Sequence, residues 1–317
     1  MKQLLYSFIL LPVILSAQDT TNTTLFRDPA NYHLAAEFYV KKIAATPSDH
    51  TNYFQAACYF SLLHDNGSAF SYLKEAIIKG AKGEDVMTDT DLNPLKSDLK
   101  NWKAIDSLLL VQYTNRNPGI SKPALGYELW LMGIEDQRFR TLKKNYKLPG
   151  NPVTDIKIHE VHLARLKEII TQSGWPKYSE VGTEAGDAAF FVFQHDEAKN
   201  IKPVLPLIIA AAKAGEANYT KAAMMIDRYL AYTEQVQIYG TQATRKIKPG
   251  QNRNDIPLQL YPIAEEENLL TRRNAIGMDD FLENCKRLGV DYIPIADRPG
   301  YKRIEIKKKW IAAGYIL

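Results

Sequence analysis

The sequence predicts a mainly α-helical protein with one small β-ribbon, and three observations carry that prediction. Apolar residues recur at helical spacing through most of the 317 residues. Glycine, proline and short polar clusters punctuate these runs at intervals that suit helices. Only two short stretches, QVQIYG and DIPLQLY, alternate with the period of a strand. The composition is that of an ordinary globular chain, 45% hydrophobic and 24% charged, far from the disordered regime. The length suits two modest domains better than one core.

The first residues, MKQLLYSFILLPVILSAQ, have the pattern of a secretory signal. Lys2 precedes an apolar stretch from Leu4 to Leu15 that is too short to span a bilayer and is broken by Pro12. Cleavage is expected after Ala17, so residues 1–17 form the signal and residues 18–28 a flexible polar tether. The chain is therefore expected to be exported, periplasmic or extracellular, with no membrane span in the mature protein. The formal charge of +4 falls to +3 when Lys2 leaves with the signal. That balance and the lack of aromatic stacking motifs speak against nucleic acid as a partner. A basic run near the C-terminus holds Arg298, Lys302, Arg303, Lys307, Lys308 and Lys309, opposed by Asp297 and Glu305. It reads as a solvated face, with contact to an anionic surface as the alternative. Export favours disulfides. The two cysteines, Cys58 and Cys285, nevertheless sit in separate apolar helical patterns and are expected to be two buried thiols.

From Pro29 the pattern is helical. One amphipathic helix stops at Pro47, and two more are split by the turn His64-Asp65-Asn66-Gly67. Ala57, Phe60, Ala69, Leu73 and Ala76 have the spacing of alternating small and large packing positions. This pattern resembles a tetratricopeptide repeat, in which a small residue lets the antiparallel neighbour approach. A short helix at DLNPLKSD and a last helix from Asn101 resemble the end of such an array. The resemblance implies a short helical array over residues 29–115, packed on a neighbouring domain because so few repeats rarely stand alone. NRNPGISKP at 115–123 marks the boundary. Beyond it, helices are expected at 124–147, 157–173, 179–198, 202–215, 218–235, 265–276 and 279–288. The second domain spans 124–288 and a basic extension covers 289–317. The ribbon is expected to pair Val236 and Ile238 with Ile256, Leu258 and Leu260.

Polar groups in apolar surroundings single out the candidate site. In AAFFVFQHDE, an apolar run ends in Gln194, His195 and Asp196. A helix that is hydrophobic all round is buried, so its polar end must find partners or line a cavity. Asp136 and Arg140 sit four apart with Gln137 beside Asp136, and Asp227 and Arg228 lie within AAMMIDRYLAY. Arg272 and Arg273 flank the stripe of Leu269 and Ile276, and Tyr239 and Gln242 surround a glycine where a ligand could approach the backbone. MGIEDQRFR, SGWP, the segment from Gly182 to His195, LP and GE at 205–216, Asp227-Arg228, YGTQ and TRRNAIG occur in this order over residues 124–282. Together they resemble the uncharacterised bacterial domain-of-unknown-function family 6624. The resemblance groups Asp136, Gln137, Arg140, His195, Asp227, Arg228, Tyr239, Gln242 and Arg272 as one set and implies no reaction.

Two uses of this set stay open. The residues converge on a pocket, where arginines bind an anion and His195 transfers a proton; or they form buried salt bridges such as Asp136 with Arg140 and Asp227 with Arg273. HEVHLARL places His159 and His162 three apart, without the second ligand of a zinc-protease helix. It reads as a solvated helix face, and neither a metal nor another cofactor is expected. The sequence also lacks a nucleophile elbow, a phosphate loop and a dinucleotide fingerprint. The expected function is that of an exported cell-envelope binding or protein-interaction protein, taking a protein or peptide through the repeats. The alternative is an enzyme such as a hydrolase acting on an anionic small molecule of the envelope. There His195 would be the general acid or base, Asp227 would orient it, and arginines including Arg140, Arg228 and Arg272 would hold the anion.

Overall fold

Short polar side chains start several helices. Asp49 accepts from the Thr51 N–H, Asp65 from Ser68, Asn218 from Lys221, and Asp280 from Leu282 and Glu283. Each such cap satisfies donors that the first helical turn leaves open and is worth about 1 kcal/mol. The computed structural model describes residues 25–146, 152–252 and 255–317, with the side chains of 139–156 outside the description. The expected signal at 1–17 and most of the tether lie outside the described residues. No helix among the described residues is long and apolar enough to cross a membrane. The chain divides into two compact units, one up to Gln112 and one from Tyr113.

The first unit contains α1 (Tyr32–Ala45), α2 (His50–Leu62), α3 (Asn66–Ile78), two short helices α4 (Gly83–Thr88) and α5 (Asn93–Lys96), and the start of α6 (Leu99–Arg116). α2 packs on both α1 and α3. Ala57, Ala69, Leu73 and Ala76 are fully buried, as their spacing predicts, and Phe60 stacks on Tyr72 with ring centres 5.4 Å apart. Methyl-sized side chains at these positions let the helices close without voids. The end of the expected tether is docked. Phe26 is buried against Phe38, Tyr39 and Tyr59.

The second unit is built around α10 (Thr183–Gln194), whose Ala185, Ala188, Ala189, Phe190, Val192 and Phe193 are all buried. Its neighbours are α7 (Pro123–Tyr146), α8 (Pro152–Ser173) and α13 (Tyr219–Thr233), while α9 (Tyr178–Val181), α11 (Ala198–Ile201) and α12 (Leu205–Lys213) fill the connections. Being covered on several sides is why α10 is apolar all round. The stretch expected as one helix over 179–198 is divided. Gly182 breaks it with φ +84°, and the second piece ends at Gln194.

α7 and α10 run in the same direction at close range. A Cβ on Gly126 would lie 2.6 Å from the Val181 carbonyl oxygen, and one on Gly133 would lie 3.0 Å from the Ala188 Cβ. The two contacts are seven residues apart on both sides, from Val181 at the end of α9 to Ala188 in α10, so small residues set the approach. Gly126→Ala is expected to destabilise the unit by about 1–3 kcal/mol, because the methyl meets the carbonyl and the Tyr113 ring. Urea unfolding monitored by circular dichroism checks it, and an unchanged midpoint would remove Gly126 from the contact.

The ribbon exists but uses different residues on one side. β1 (Ala243–Thr244) pairs antiparallel with β2 (Gln259–Leu260), in register Ala243 with Leu260. Residues 236–238, expected as the first strand, contribute a single parallel bridge between Gln237 and Ile263. They diverge because the backbone N–H groups of Ile238, Tyr239 and Thr241 are taken by a side chain, described below. α14 (Leu269–Ala275) and α15 (Phe281–Leu288) follow, with Ile263, Leu269, Phe281 and Cys285 forming one apolar cluster. Cys58 and Cys285 are both buried and free, as expected.

The basic C-terminal segment does not face solvent with its charge unmatched. Arg298 pairs with Glu266, Arg303 contacts Glu265, Glu267 and Glu305, and Lys307 and Lys309 both pair with Glu234. A short helix α16 (Lys308–Ala312) buries Trp310, and no strand forms at Ile304 and Ile306.

Candidate functional site

The sequence-predicted set separates into two groups. The first is centred on Asp227 in α13, which is fully buried. Its Oδ1 accepts the N–H of Ile238 at 2.7 Å and of Tyr239 at 2.9 Å. Its Oδ2 accepts the N–H of Thr241 at 3.0 Å and the Thr241 hydroxyl at 2.9 Å. Burial raises the Asp227 carboxyl above the ordinary carboxylate range, and these donors oppose the rise.

The same loop is held from outside. Arg272 donates to the carbonyls of Ile238, Ala264 and Glu265. Arg273 donates to the Tyr239 carbonyl at 2.7 Å and to Asp279 at 2.9 Å. Asn284 donates to the Gly240 carbonyl. Gln237 accepts from the Gln242 N–H and donates to the carbonyls of Gln242 and Tyr261, while the Gln242 side chain donates to Thr241. The Tyr239 hydroxyl donates to the Tyr315 carbonyl and accepts from the Leu317 N–H. The close approach at Gly240 (φ +71°) is made by a side chain of the chain itself. A Cβ there would lie 2.7 Å from the Phe281 ring. Asp227, Tyr239, Gln242, Arg272 and Arg273 therefore form a clasp that fixes residues 237–242. The expected pair of Asp227 with Arg273 is replaced by two contacts from opposite sides of one loop.

The second group gathers where α7, α8 and the end of α10 meet. His195 terminates α10, and its Nδ1 lies 3.5 Å from Asp136 Oδ2, with a quarter of the imidazole exposed and the carboxylate buried. Gln137 donates to the same Asp136 oxygen at 2.7 Å. Two further imidazole–carboxylate pairs accompany this one. His162 and Glu135 are 3.0 Å apart, and His159 and Asp196 are 3.7 Å apart. The set follows from the helix register. Glu135 and Asp136 lie just beyond Gly133 on α7, and His195 and Asp196 just beyond the end of the apolar run on α10. His159 and His162 share one face of α8.

Buried polar atoms without partners concentrate here. Of the eleven buried side-chain nitrogen and oxygen atoms without a hydrogen bond among the described residues, five belong to this region: Arg138 Nε, His159 Nδ1, His162 Nδ1, Gln194 Oε1 and Asp196 Oδ2. Native proteins pair such atoms, so these residues have hydrogen-bonding capacity that the chain itself does not use.

Of the predicted residues, His195, Asp136, Gln137 and Gln194 belong to this second group. Asp227 does not orient His195, whose carboxylate partner is Asp136. Arg228 donates to the Tyr232 hydroxyl at 2.8 Å. The Arg140 side chain lies outside the described residues. The donors of Arg272, expected to hold an anion, are taken by backbone carbonyls. Sequence reasoning passed over Glu135, read His159 and His162 as a solvated face, and named Asp196 only as part of the polar end of the apolar run. The signal was present in HEVH, but its two imidazoles face carboxylates from elsewhere in the chain rather than solvent. Cys58 is no rival nucleophile. Burial pushes its thiol well above the ordinary range, and its Sγ faces Asp89 at 3.9 Å.

The hydrogen bond from His162 holds the half-exposed Glu135 carboxyl below its ordinary range. A depressed carboxylate stabilises the fold above its unfolded-state pKa, and the gain is lost as pH falls through the folded value. Glu135→Gln is therefore expected to be less stable than wild type at neutral pH, with the two converging as pH drops through the acidic range. Urea unfolding across pH reads this, and a constant gap would contradict it.

A comparison with curated proteins and one with solved structures found no match to this chain. A family model described as "Family of unknown function (DUF6624)" matches residues 123–294, more than half of the sequence, and it contains both polar groups up to Asn284 and the whole imidazole–carboxylate set. The chain is a member of the family of unknown function DUF6624.

Proposed function

We propose that the DUF6624 region is an acid–base catalytic domain in which His195 transfers a proton and Asp136 orients it. The observation that carries this reading is the partly exposed imidazole held against a buried carboxylate, amid five buried polar atoms without partners. A general acid or base needs this combination of access and orientation. Hydrolysis is the reaction class that best suits an imidazole beside carboxylates and no strong nucleophile. The lining is rich in Glu135, Asp136 and Asp196, with Arg138 as the nearby described cation whose charge reaches Glu135. Among the described residues that balance favours a neutral or cationic reacting group over the anion expected from the arginines.

The test is a hydrolase substrate panel run on the full chain with His195→Ala and Asp136→Asn. A substrate turned over by wild type is expected to lose about 10²–10⁴-fold in rate with His195→Ala. A rate unchanged in both variants would reject the assignment.

A second reading places partner binding in the first unit, whose hairpins over 29–115 have a tetratricopeptide-like pattern. Ile78, Leu99 and Val111 are each more than half exposed there. Capture of a peptide by wild type and His195→Ala alike would favour that reading. The signal pattern at 1–17 would place either activity outside the cytoplasm, in the cell envelope or beyond.

A further inference from the structure

The three imidazole–carboxylate pairs are not equivalent. His162 and Glu135, at 3.0 Å, make an ordinary hydrogen bond. His159 Nε2 and Asp196 Oδ2, at 3.7 Å, do not. That gap is too long for a hydrogen bond. It is also too short for a bridging water, since two hydrogen bonds of about 2.8 Å set their outer atoms roughly 4.5 Å apart. It is close to the edge of a tetrahedral metal site, where bonds of about 2.1 Å put neighbouring ligand atoms roughly 3.4 Å apart.

The local bonding agrees. Asp196 Oδ1 accepts the Glu197 N–H at 2.6 Å and the Asn200 amide at 3.0 Å. These bonds fix the carboxylate and turn Oδ2 toward His159. Oδ2 is buried, belongs to a side chain only 8% exposed, and has no hydrogen-bond partner. Asp136 Oδ2 differs, because Gln137 donates to it at 2.7 Å. The unsatisfied acceptor is thus on Asp196, next in sequence to His195.

We propose that His159 Nε2 and Asp196 Oδ2 hold a divalent transition-metal ion, with water in the remaining positions. An imidazole paired with a carboxylate selects zinc-like or manganese-like ions over magnesium, which prefers oxygen ligands alone. Among the described residues no third imidazole, thiolate or carboxylate atom joins the pair within 4.8 Å. The site is therefore a weak and exchangeable one, open to ligands from water or substrate.

Isothermal titration of chelator-treated full chain with Zn²⁺ tests it, with Mg²⁺ as a control. One equivalent of Zn²⁺ is expected to bind to wild type, and His159→Ala and Asp196→Asn are expected to weaken it by about tenfold or more. His162→Ala, which removes an imidazole three residues away, is expected to bind as wild type does. Asp196→Asn keeps the Oδ1 acceptor, and His159→Ala alters a partly exposed side chain, so each covers for the other if one fails to fold. Absence of Zn²⁺ binding, or equal binding by wild type and His159→Ala, would overturn the site. The assay reads binding and not turnover, so a negative result leaves the role of His195 standing.

Discussion

Asp227→Asn is expected to destabilise the second unit by about 3 kcal/mol or more, lowering its melting temperature by on the order of 10 °C. The carboxylate accepts from three backbone N–H groups and one hydroxyl, split between its two oxygens. An asparagine amide must turn its NH₂ toward one side of that set. On either side it meets at least one backbone N–H, so two donors face each other inside a fully buried site. The loss reaches beyond one bond, because Asp227 is what bends residues 238–241 away from a strand. Thermal and urea unfolding followed by circular dichroism measure it. A variant as stable as wild type would show that the loop is held by its other contacts alone.

Arg273→Met is the second large effect, with an expected loss of about 3 kcal/mol. Methionine fills similar volume but donates nothing, which removes the donor from the Tyr239 carbonyl, the Asp279 carbonyl and Asp279 Oδ1. Asp279 retains Arg287 at 2.6 Å, so the loss stays below that of an isolated buried charge. Arg273→Lys is expected to recover only part, because a point charge cannot serve these acceptors as a planar fork does. Asp227 and Arg273 hold one loop from two sides, so the double variant is expected to be non-additive by about 0.5–3 kcal/mol. Additive losses would mean that the two contacts support separate structures.

The helical architecture was legible in the sequence because local rules dictate it. Caps at Asp49, Asp65, Asn218 and Asp280, and small residues at Ala57, Ala69 and Ala76, act over a few residues. The end of α10 was legible as polar atoms needing partners; His195 meets Asp136, while Gln194 Oε1 and Asp196 Oδ2 make no hydrogen bond. What the sequence could not disclose is which partner each group meets. Asp227 and Arg273 carry opposite charges in apolar helices and look like a salt bridge, but Asp227 bonds the backbone of 238–241, and Arg273 bonds the Tyr239 carbonyl and Asp279. His159 and His162 look solvated on their own helix. They are claimed by Asp196 and Glu135, which lie 37 and 27 residues away in sequence. The C-terminal lysines and arginines look like a free basic surface, yet their acidic counterparts include Glu234 and Glu265 through Glu267. Pairings across such separations depend on helix packing, which periodicity alone does not set.

The division of the polar residues into a structural clasp and the proposed catalytic set meets its most direct test in one thermal-shift screen. Wild type, His195→Ala, Asp136→Asn and Asp227→Asn would be run against a panel of small hydrolase substrates and substrate analogues. A ligand that binds only the folded state raises the melting temperature. The predicted result is a ligand-induced rise in wild type that is missing in His195→Ala and Asp136→Asn, while both melt near the wild-type temperature without ligand and Asp227→Asn melts far below it. The contradicting result is a strong loss of stability in His195→Ala and Asp136→Asn with no ligand shift in any form, which would make the imidazole–carboxylate set a second structural clasp.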